Sequence, residues 1–141
     1  MLCRDIMKRG VLCVTAQTTV TEAAALMRDA GVGFLPVCNE ERTAIGTLTD
    51  RDIAVRVVAE SDSADQPVER FMTPNVVACR PDDDLTVALD LMAEMQVSRI
   101  ICLADKGQLE GIISLSDVAQ VADGLSAADT LRSVTIREAR P

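Results

Sequence analysis

GTLTDRD at residues 46–52 and GIISLSD at residues 111–117 are two versions of one phrase, Gly-x-x-[Ser/Thr]-x-x-Asp, and they stand 65 positions apart (111 − 46 = 65). In both, an apolar run ends in a hydroxyl residue, and a carboxylate follows three positions later. That pattern is typical of a strand that passes directly into a helix. The phrase is the best-defined part of a longer repeat.

The same shift of 65 positions aligns ten identical pairs between residues 7 and 54 and their counterparts. Chance matching in a chain of ordinary composition gives about three such pairs. The identical pairs are Met7/Met72, Val11/Val76, Thr21/Thr86, Ala23/Ala88, Leu26/Leu91, Met27/Met92, Val32/Val97, Gly46/Gly111, Asp52/Asp117 and Ala54/Ala119. The chain is therefore predicted to be an internal duplication.

Each copy is predicted to have the element order β-α-β-β-α. Copy one has strands at 11–14, 34–38 and 44–48, a helix at 19–30 and a second helix from residue 49 to about residue 59. Copy two has strands at 76–79, 99–103 and 109–114 and a helix at 85–95. Thr19 and Glu22 are spaced as a capping box at the start of the first helix.

One such unit of about 50 residues would bury little surface alone, so two units are expected to share a core. The predicted fold class is α/β (α+β), with the two repeats packed in pseudo-two-fold symmetry through their sheets. The expected boundaries are copy one at 1–60, a polar linker at 61–67, copy two at 68–124 and a helical tail at 125–141, with its helix at 126–139.

Composition excludes several classes of function. The 141 residues include 14 Lys and Arg against 22 Asp and Glu, a net charge of −8, which disfavours nucleic acid and anionic membranes as partners. No apolar run approaches the roughly 18 to 20 residues of a membrane span, and no signal peptide opens the chain, so we expect a cytoplasmic protein. There is no His, Trp or Tyr, which excludes histidine catalysis and aromatic base stacking. Without a nucleophile constellation or a phosphate-binding glycine loop, the chain is not expected to be an enzyme.

The five cysteines are odd in number and contain no C-x-x-C pair, which argues against a disulfide framework or a structural zinc site. Four of them align with an ordinary apolar residue in the other copy: Cys13 with Ala78, Cys79 with Val14, Cys38 with Leu103 and Cys102 with Val37. They are therefore predicted to be free thiols that fill the core.

The run Asp82-Asp83-Asp84 offers hard oxygen ligands of the kind that Mg²⁺ or Ca²⁺ prefers. The favoured alternative is that Asp84 caps the following helix while its neighbours are solvated. No metal is expected here.

At the two junctions the chemistry suits a sugar. An ionised carboxylate can accept hydrogen bonds from both hydroxyls of a ribose, and the nearby Ser or Thr hydroxyl can add another. Free N–H groups at a helix start can also meet a phosphate. The same [Ser/Thr]-x-x-Asp spacing, however, is a helix capping box, and spacing alone leaves both interpretations open.

Three phrases give the repeat a close resemblance to the CBS domain, which usually occurs in tandem pairs. They are residues 5–7 with their counterpart at 71–73, GVGFLPV at 31–37, and residues 46–53. The likeness covers about residues 1–122. It implies a regulatory module that binds adenosine-containing ligands in clefts between paired repeats: AMP, ADP or ATP, with NAD and S-adenosylmethionine as further candidates and no catalytic cofactor.

The resemblance also implies site residues. The ribose would be held by Thr49 and Asp52 in copy one and by Ser114 and Asp117 in copy two. The adenine would contact Gly10, Leu12, Val32 and Thr47 in copy one, and Asn75, Val77, Val97 and Ile112 in copy two. The phosphate candidates are Ser98 and Arg99; copy one has Gly33 and Phe34 there, so Arg51 is its substitute. A solvated surface role for Arg99 and Arg51 is the alternative.

The resemblance further implies a homodimer of paired repeats and an output through a separate, unknown effector protein. A different class of function stays open beside it: a ligand-free module for protein–protein interaction or dimerisation. In that case the junction residues are only helix caps.

Overall fold

The computed structural model describes residues 1–121 and 124–135. The helices are α1 (Cys3–Ile6), α2 (Val20–Ala30), α3 (Asp50–Asp52), α4 (Leu85–Met95), α5 (Leu115–Val121) and α6 (Gly124–Thr135). The strands are β1 (Phe34–Cys38), β2 (Ala44–Thr49), β3 (Ala78–Cys79), β4 (Arg99–Leu103) and β5 (Leu109–Ser114). A π-helix, Ile53–Val58, follows α3, and a 3₁₀ turn spans Val68–Arg70. This mixture of short helices and small sheets confirms the predicted α+β class.

The chain forms two compact units that differ from the two sequence copies. The continuous unit is residues 12–76, and the split unit is residues 1–11 together with 77–141. The opening of copy one therefore belongs with the body of copy two, and the residues that open copy two belong with the body of copy one.

In the continuous unit, β1 and β2 form an antiparallel pair in which Phe34 lies opposite Thr49. Helix α2 begins at a capping box, because the Thr19 side chain accepts from the Glu22 amide while Glu22 reaches back to Thr19, as predicted. Its buried face joins a core of largely aliphatic side chains: Val14, Val20, Ala23, Met27, Leu35, Val37, Leu48, Val57, Val68 and Phe71. The predicted linker is bonded to this unit, since the Ala64 and Gln66 carbonyls accept from the first amides of α2.

In the split unit, β4 lies between β3, to which it is parallel, and β5, to which it is antiparallel. Helix α4 and the amino-terminal segment pack on this sheet around a second core: Cys3, Met7, Cys79, Leu85, Ala88, Leu89, Met92, Ile100, Cys102, Ile113 and Val118. Helix α6 packs against α4 and α5, so the described part of the tail belongs to this unit. Residues 136–139 of the predicted tail helix lie outside the described residues.

Two predicted strands are shorter than the sequence indicates. The run 11–14 forms no strand; only Val14 pairs, in an isolated bridge with Val37. The run 76–79 is paired only at Ala78–Cys79. The physical reason is the same for both, because the chain passes between the units at 11–12 and at 76–77, so neither run can follow one sheet edge throughout.

The cysteines pack as predicted. Cys3, Cys38, Cys79 and Cys102 are buried, Cys13 is half-buried, and all five are free. Burial raises the pKa of the Cys3 thiol to about 12, so this group stays protonated at neutral pH. Cys3, Cys79 and Cys102 are members of the core of the split unit.

Each member of the acidic run 82–84 has a structural partner. Asp84 caps α4 by accepting from the Thr86 amide at 3.0 Å, as predicted. Asp83 accepts from the Arg80 amide at 2.8 Å, and Asp82 pairs with Arg4 at 2.6 Å. The run therefore holds the loop that precedes α4 and caps the start of α4. Across the described ranges, no helix is both long enough and apolar enough to cross a membrane.

Gly46 and Gly111 allow a neighbouring segment to approach the middle of β2 and β5. A Cβ at Gly46 would lie 2.6 Å from the Met72 sulfur and 2.9 Å from the Thr73 carbonyl oxygen. A Cβ at Gly111 would lie 2.9 Å from the Met7 sulfur and 3.0 Å from the Lys8 carbonyl oxygen. A real Cβ cannot stay so close to backbone, so an added methyl group must push the segment away.

We expect Gly46→Ala and Gly111→Ala each to lower the free energy of unfolding by about 1–3 kcal/mol, the usual cost of overpacking. Urea unfolding followed by circular dichroism measures this. Thr47→Ser, one position along β2, is the control and should change the value by less than about 0.5 kcal/mol. Alanine variants as stable as the wild type would show that the segments do not pack on these glycines.

Candidate functional site

The Thr49 junction lies where β2 enters α3 and is a complete capping box. The Thr49 hydroxyl accepts from the Asp52 amide at 3.0 Å, and Asp52 Oδ2 accepts from the Thr49 amide at 2.9 Å. Asp52 Oδ1 is 3.7 Å from Arg56 Nε, one helical turn on. Arg56 also donates to the Phe71 carbonyl at 2.8 Å and to the Thr73 hydroxyl at 3.4 Å. One carboxylate oxygen thus caps the helix, and the other faces a cation.

The Ser114 junction, where β5 enters α5, repeats this arrangement. Asp117 Oδ2 accepts from the Ser114 amide at 2.9 Å and from its hydroxyl at 2.7 Å. The Asp117 amide donates to the Ser114 hydroxyl at 3.2 Å. Asp117 Oδ1 forms an ion pair with Lys8 Nζ at 2.8 Å. The capping interpretation is therefore confirmed at both junctions, and at both it leaves Oδ1 directed at a basic side chain.

Asp117 is held in its ionised form. Its side chain is only 8% exposed, whereas that of Lys8 is 74% exposed. Burial alone would raise the pKa of Asp117, but hydrogen bonds from Lys8 and Ser114, together with the Lys8 charge, outweigh burial and hold the pKa below its ordinary value of 3.8. At neutral pH this carboxylate is a pure hydrogen-bond acceptor.

This shift predicts an acid-dependent stability. A carboxyl group whose pKa is lowered by folding stabilises the protein above its unfolded-state pKa, and that contribution is lost as pH falls through the folded-state pKa. We expect the difference in unfolding free energy between wild type and Asp117→Asn to be largest near about pH 6 and to shrink below about pH 4. Urea unfolding at several pH values measures it, and a difference that stays constant down to about pH 3 would contradict the assignment.

The backbone brings the start of each copy to the junction of the other. Lys8 exchanges two backbone hydrogen bonds with Ile112, at 2.9 and 3.1 Å, and Thr73 exchanges two with Thr47, at 2.9 Å each. Gly10 therefore belongs to the unit of the Ser114 junction, and Asn75 belongs to the unit of the Thr49 junction. The grouping by sequence copy is corrected for these two residues, because the chain passes between the units just after each of them.

With that correction, the predicted site residues divide between the two units. The continuous unit holds Leu12, Val32, Thr47, Thr49, Arg51, Asp52 and Asn75, and the split unit holds Gly10, Val77, Val97, Ser98, Arg99, Ile112, Ser114 and Asp117. In the continuous unit, the Leu12 and Val32 side chains are 48% and 40% exposed, an apolar surface of the kind that a purine face can cover. In the split unit the counterparts Val77 and Val97 are half-buried.

Arg99 lies directly opposite Ser114 in the β4–β5 register. Side chains opposite each other in an antiparallel pair have Cβ atoms about 4.5–5.5 Å apart, so the guanidinium can reach a group bound at the junction. Arg99 is exposed and forms no ion pair within residues 1–121 or 124–135. Arg51 is exposed in α3, two positions after Thr49.

Sequence reasoning missed the two cations that face the carboxylates, Lys8 and Arg56. The Arg56 contact has a local signal, because Asp52 and Arg56 have the i, i+4 spacing of a helical ion pair. The Lys8 contact has none, since Lys8 is 109 positions from Asp117 (117 − 8 = 109) and lies in the other copy. Within the described residues, no cluster of three or more Cys, Asp or Glu side chains is placed to hold a metal ion.

The comparisons with known proteins agree with the repeat. The family model of the CBS domain matches twice, at residues 3–59 and 68–124. The CBS domain-containing protein YhcV of Bacillus subtilis is 38% identical over 116 residues, which cover 82% of this chain and 81% of YhcV. The CBS domain protein TA0289 of Thermoplasma acidophilum is 25% identical with a TM-score of 0.83, and the match covers 94% of this chain and 75% of that one.

A further solved structure, CBSX2 in complex with AMP, has a TM-score of 0.76. Its identity is 24%, and the match covers 86% of this chain and 95% of that chain. At this identity the match is a likeness of fold.

Proposed function

Because this chain belongs to the CBS domain family, we propose that it is a non-enzymatic regulatory module that binds adenosine-containing ligands at its two strand–helix junctions. AMP, ADP and ATP are the first candidates, and NAD and S-adenosylmethionine are the next. The ribose would bind to Asp52 and Thr49 in the continuous unit and to Asp117 and Ser114 in the split unit.

One observation carries this proposal: at each junction, carboxylate Oδ2 accepts from the helix-capping amide, while Oδ1 is left to face a lysine or an arginine. A ribose presents two adjacent hydroxyl donors, and a carboxylate oxygen has lone pairs for both the ligand and the cation. A carboxylate that accepts from ligand hydroxyls makes strong, charge-assisted hydrogen bonds. The arrangement occurs twice, on elements fixed by two cores.

Five apolar residues and Thr47 would supply the second half of an adenosine site in the two units. Leu12, Val32 and Thr47 in the continuous unit, and Val77, Val97 and Ile112 in the split unit, are exposed or half-buried. An adenine needs flat apolar contact and a few backbone hydrogen bonds, and it needs no aromatic side chain. The AMP complex of CBSX2 supports the proposal, because a protein of this fold holds such a ligand.

A module without a catalytic group acts through its partners. We propose that the chain forms a homodimer and that the ligand changes its geometry or its affinity for a separate effector protein. A ligand shifts such an equilibrium only by its different affinities for the two states. The net charge of −8 makes nucleic acid and anionic membranes poor partners. Light scattering with and without ligand tests the dimer.

The test of binding is isothermal titration calorimetry of the whole chain with adenosine, AMP, ADP, ATP, NAD and S-adenosylmethionine, with uridine monophosphate as the control. We expect saturable binding of at least one adenosine compound, with up to two sites per chain, and no binding of the uridine nucleotide. If none of the adenosine compounds binds, the adenosine proposal is wrong.

A second candidate has support from one observation. Both capping boxes are completed by the chain's own residues, and each carboxylate has a cationic side chain as a partner. Such junctions would also serve a ligand-free interaction or dimerisation module. A dimer whose stability and partner binding do not respond to any adenosine compound would favour this function.

A further inference from the structure

The Asp50 carboxylate lies directly against the start of β1. A Cβ at Gly33 would lie 2.6 Å from Asp50 Oδ2 and 3.0 Å from Asp50 Cγ, so this side chain occupies the space that a larger residue at position 33 would need. The Asp50 backbone and the Asp50 side chain are each held by one hydrogen bond. The Asp50 amide donates to the Gly33 carbonyl at 3.0 Å, and Asp50 Oδ1 accepts from the Arg51 amide at 2.8 Å.

The split unit has the same backbone contact without the carboxylate. Positions 33 and 50 correspond to Ser98 and Leu115 (33 + 65 = 98; 50 + 65 = 115). The Leu115 amide donates to the Ser98 carbonyl at 2.9 Å, the counterpart of the Asp50–Gly33 bond. The two junctions thus share one geometry and differ in the side chains placed on it.

The next position along the strand, 99 in the split unit and 34 in the continuous unit, adds to the charge difference between the two junctions. Arg99 lies opposite Ser114, whereas Phe34 lies opposite Thr49. Beside the Thr49 hydroxyl there are therefore an acidic group and an aromatic ring. Beside the Ser114 hydroxyl there are an aliphatic side chain and a guanidinium that has no ion pair within residues 1–121 or 124–135.

A ligand phosphate would meet these groups in opposite ways. At the Ser114 junction, Lys8 already neutralises Asp117, so Arg99 is an additional positive charge. At the Thr49 junction, Arg56 lies beside Asp52, and Asp50 adds a negative charge that offsets the exposed Arg51. Like charges held close together oppose binding, whereas an arginine that has no ion pair among the described residues favours a phosphate.

We propose that Asp50 makes the two junctions select different classes of adenosine ligand. The Ser114 junction takes adenosine ligands that carry a 5′-phosphate. The Thr49 junction takes adenosine derivatives whose 5′ substituent is neutral or cationic, and Asp50 is the residue that rejects the phosphate. This inference rests on the proposed function, because it assigns a ligand class to each of its two sites.

The test measures AMP and 5′-methylthioadenosine, a neutral adenosine derivative, at one junction at a time. Asp117→Ala leaves the Thr49 junction as the binding site, and Asp52→Ala leaves the Ser114 junction. With Asp117→Ala we expect AMP to bind at least about tenfold more weakly than 5′-methylthioadenosine. Adding Asp50→Asn, which keeps the shape and removes the charge, should raise AMP affinity by about tenfold or more and change the other ligand by less than about twofold.

The reciprocal change is Leu115→Asp in the Asp52→Ala background, which should weaken AMP by about tenfold or more and leave 5′-methylthioadenosine unchanged. Leu115 packs against the core of the split unit, so thermal unfolding checks that this variant folds. If it does not fold, the comparison of Asp117→Ala with and without the isosteric Asp50→Asn change decides whether Asp50 rejects the phosphate.

The outcomes separate the two proposals. Equal affinities for AMP and 5′-methylthioadenosine at the Thr49 junction, unchanged by Asp50→Asn, would overturn the assignment of Asp50 and leave adenosine binding intact. Failure of the wild type to bind either compound would overturn adenosine binding and this inference with it.

Discussion

Replacing Asp52 and Asp117 together by alanine is expected to abolish adenosine binding, and each single replacement is expected to remove one of two sites. The carboxylate of each junction is the proposed acceptor for both ribose hydroxyls. Hydrogen bonds to charged groups contribute about 1.5–3 kcal/mol each, so the loss of two weakens binding by more than about a hundredfold. Calorimetry gives the stoichiometry and the affinity in the same experiment.

Two controls separate lost binding from lost structure. Asp52→Asn and Asp117→Asn keep an acceptor for the junction amide, so these variants retain the helix cap and lose the charge. Asp90→Ala removes an exposed carboxylate on α4, a helix that carries neither of the two junction caps, and it should leave binding unchanged. Unchanged affinity and stoichiometry in a folded Asp52→Ala/Asp117→Ala variant would show that the ribose assignment is wrong.

Arg99→Ala is expected to weaken AMP binding at the Ser114 junction by about 10- to 100-fold, the range of one or two charge-assisted hydrogen bonds. Adenosine should bind as before, because it has no phosphate for the guanidinium to contact. Arg99 is exposed, and it forms no ion pair among the residues that the structure describes, so its removal should leave stability nearly unchanged.

Titrating Arg99→Ala with AMP and with adenosine isolates the phosphate contribution. Arg51→Ala is the matched control at the Thr49 junction. Because the neighbouring Asp50 offsets the Arg51 charge, this variant should change AMP affinity less than Arg99→Ala does. If Arg99→Ala weakens adenosine and AMP equally, Arg99 acts on the shape of the site. If it weakens neither, the alternative of a solvated surface arginine applies.

Most of the local structure is predictable because its causes are local. The capping box at Thr19, the Asp84 cap and the strands Phe34–Cys38, Arg99–Leu103 and Leu109–Ser114 follow from spacing and periodicity within a few residues. The duplication also gives each position a counterpart in the other copy, and the two residue types can be compared. That comparison showed, for example, that cysteine positions in one copy are apolar positions in the other, which indicates a packing role.

The composition of the sites depends on long-range contacts and is harder to predict. Lys8 reaches Asp117 because residues 1–11 belong to the split unit, and no periodicity in the sequence encodes that exchange. The same exchange moves Gly10 and Asn75 to the opposite junctions and shortens the strands expected at 11–14 and 76–79. The Asp50 carboxylate against Gly33 is likewise a three-dimensional contact, although the substitution of Gly33-Phe34 for Ser98-Arg99 is visible in the sequence.

Adenosine binding at the two junctions is tested most directly by a heteronuclear NMR titration of the uniformly ¹⁵N-labelled chain with AMP and with adenosine, following the backbone amides. With adenosine we predict saturable shifts at the amides of Thr49, Asp52, Ser114 and Asp117, because each lies within a cap whose carboxylate or hydroxyl would contact the ribose. With AMP the shifts at Ser114 and Asp117 should saturate at a lower ligand concentration than those at Thr49 and Asp52. The exposed residues of α4 serve as an internal reference and should not shift. If these four amides do not shift with adenosine, or if the shifts cluster elsewhere in the chain, the ligand does not bind at the two junctions.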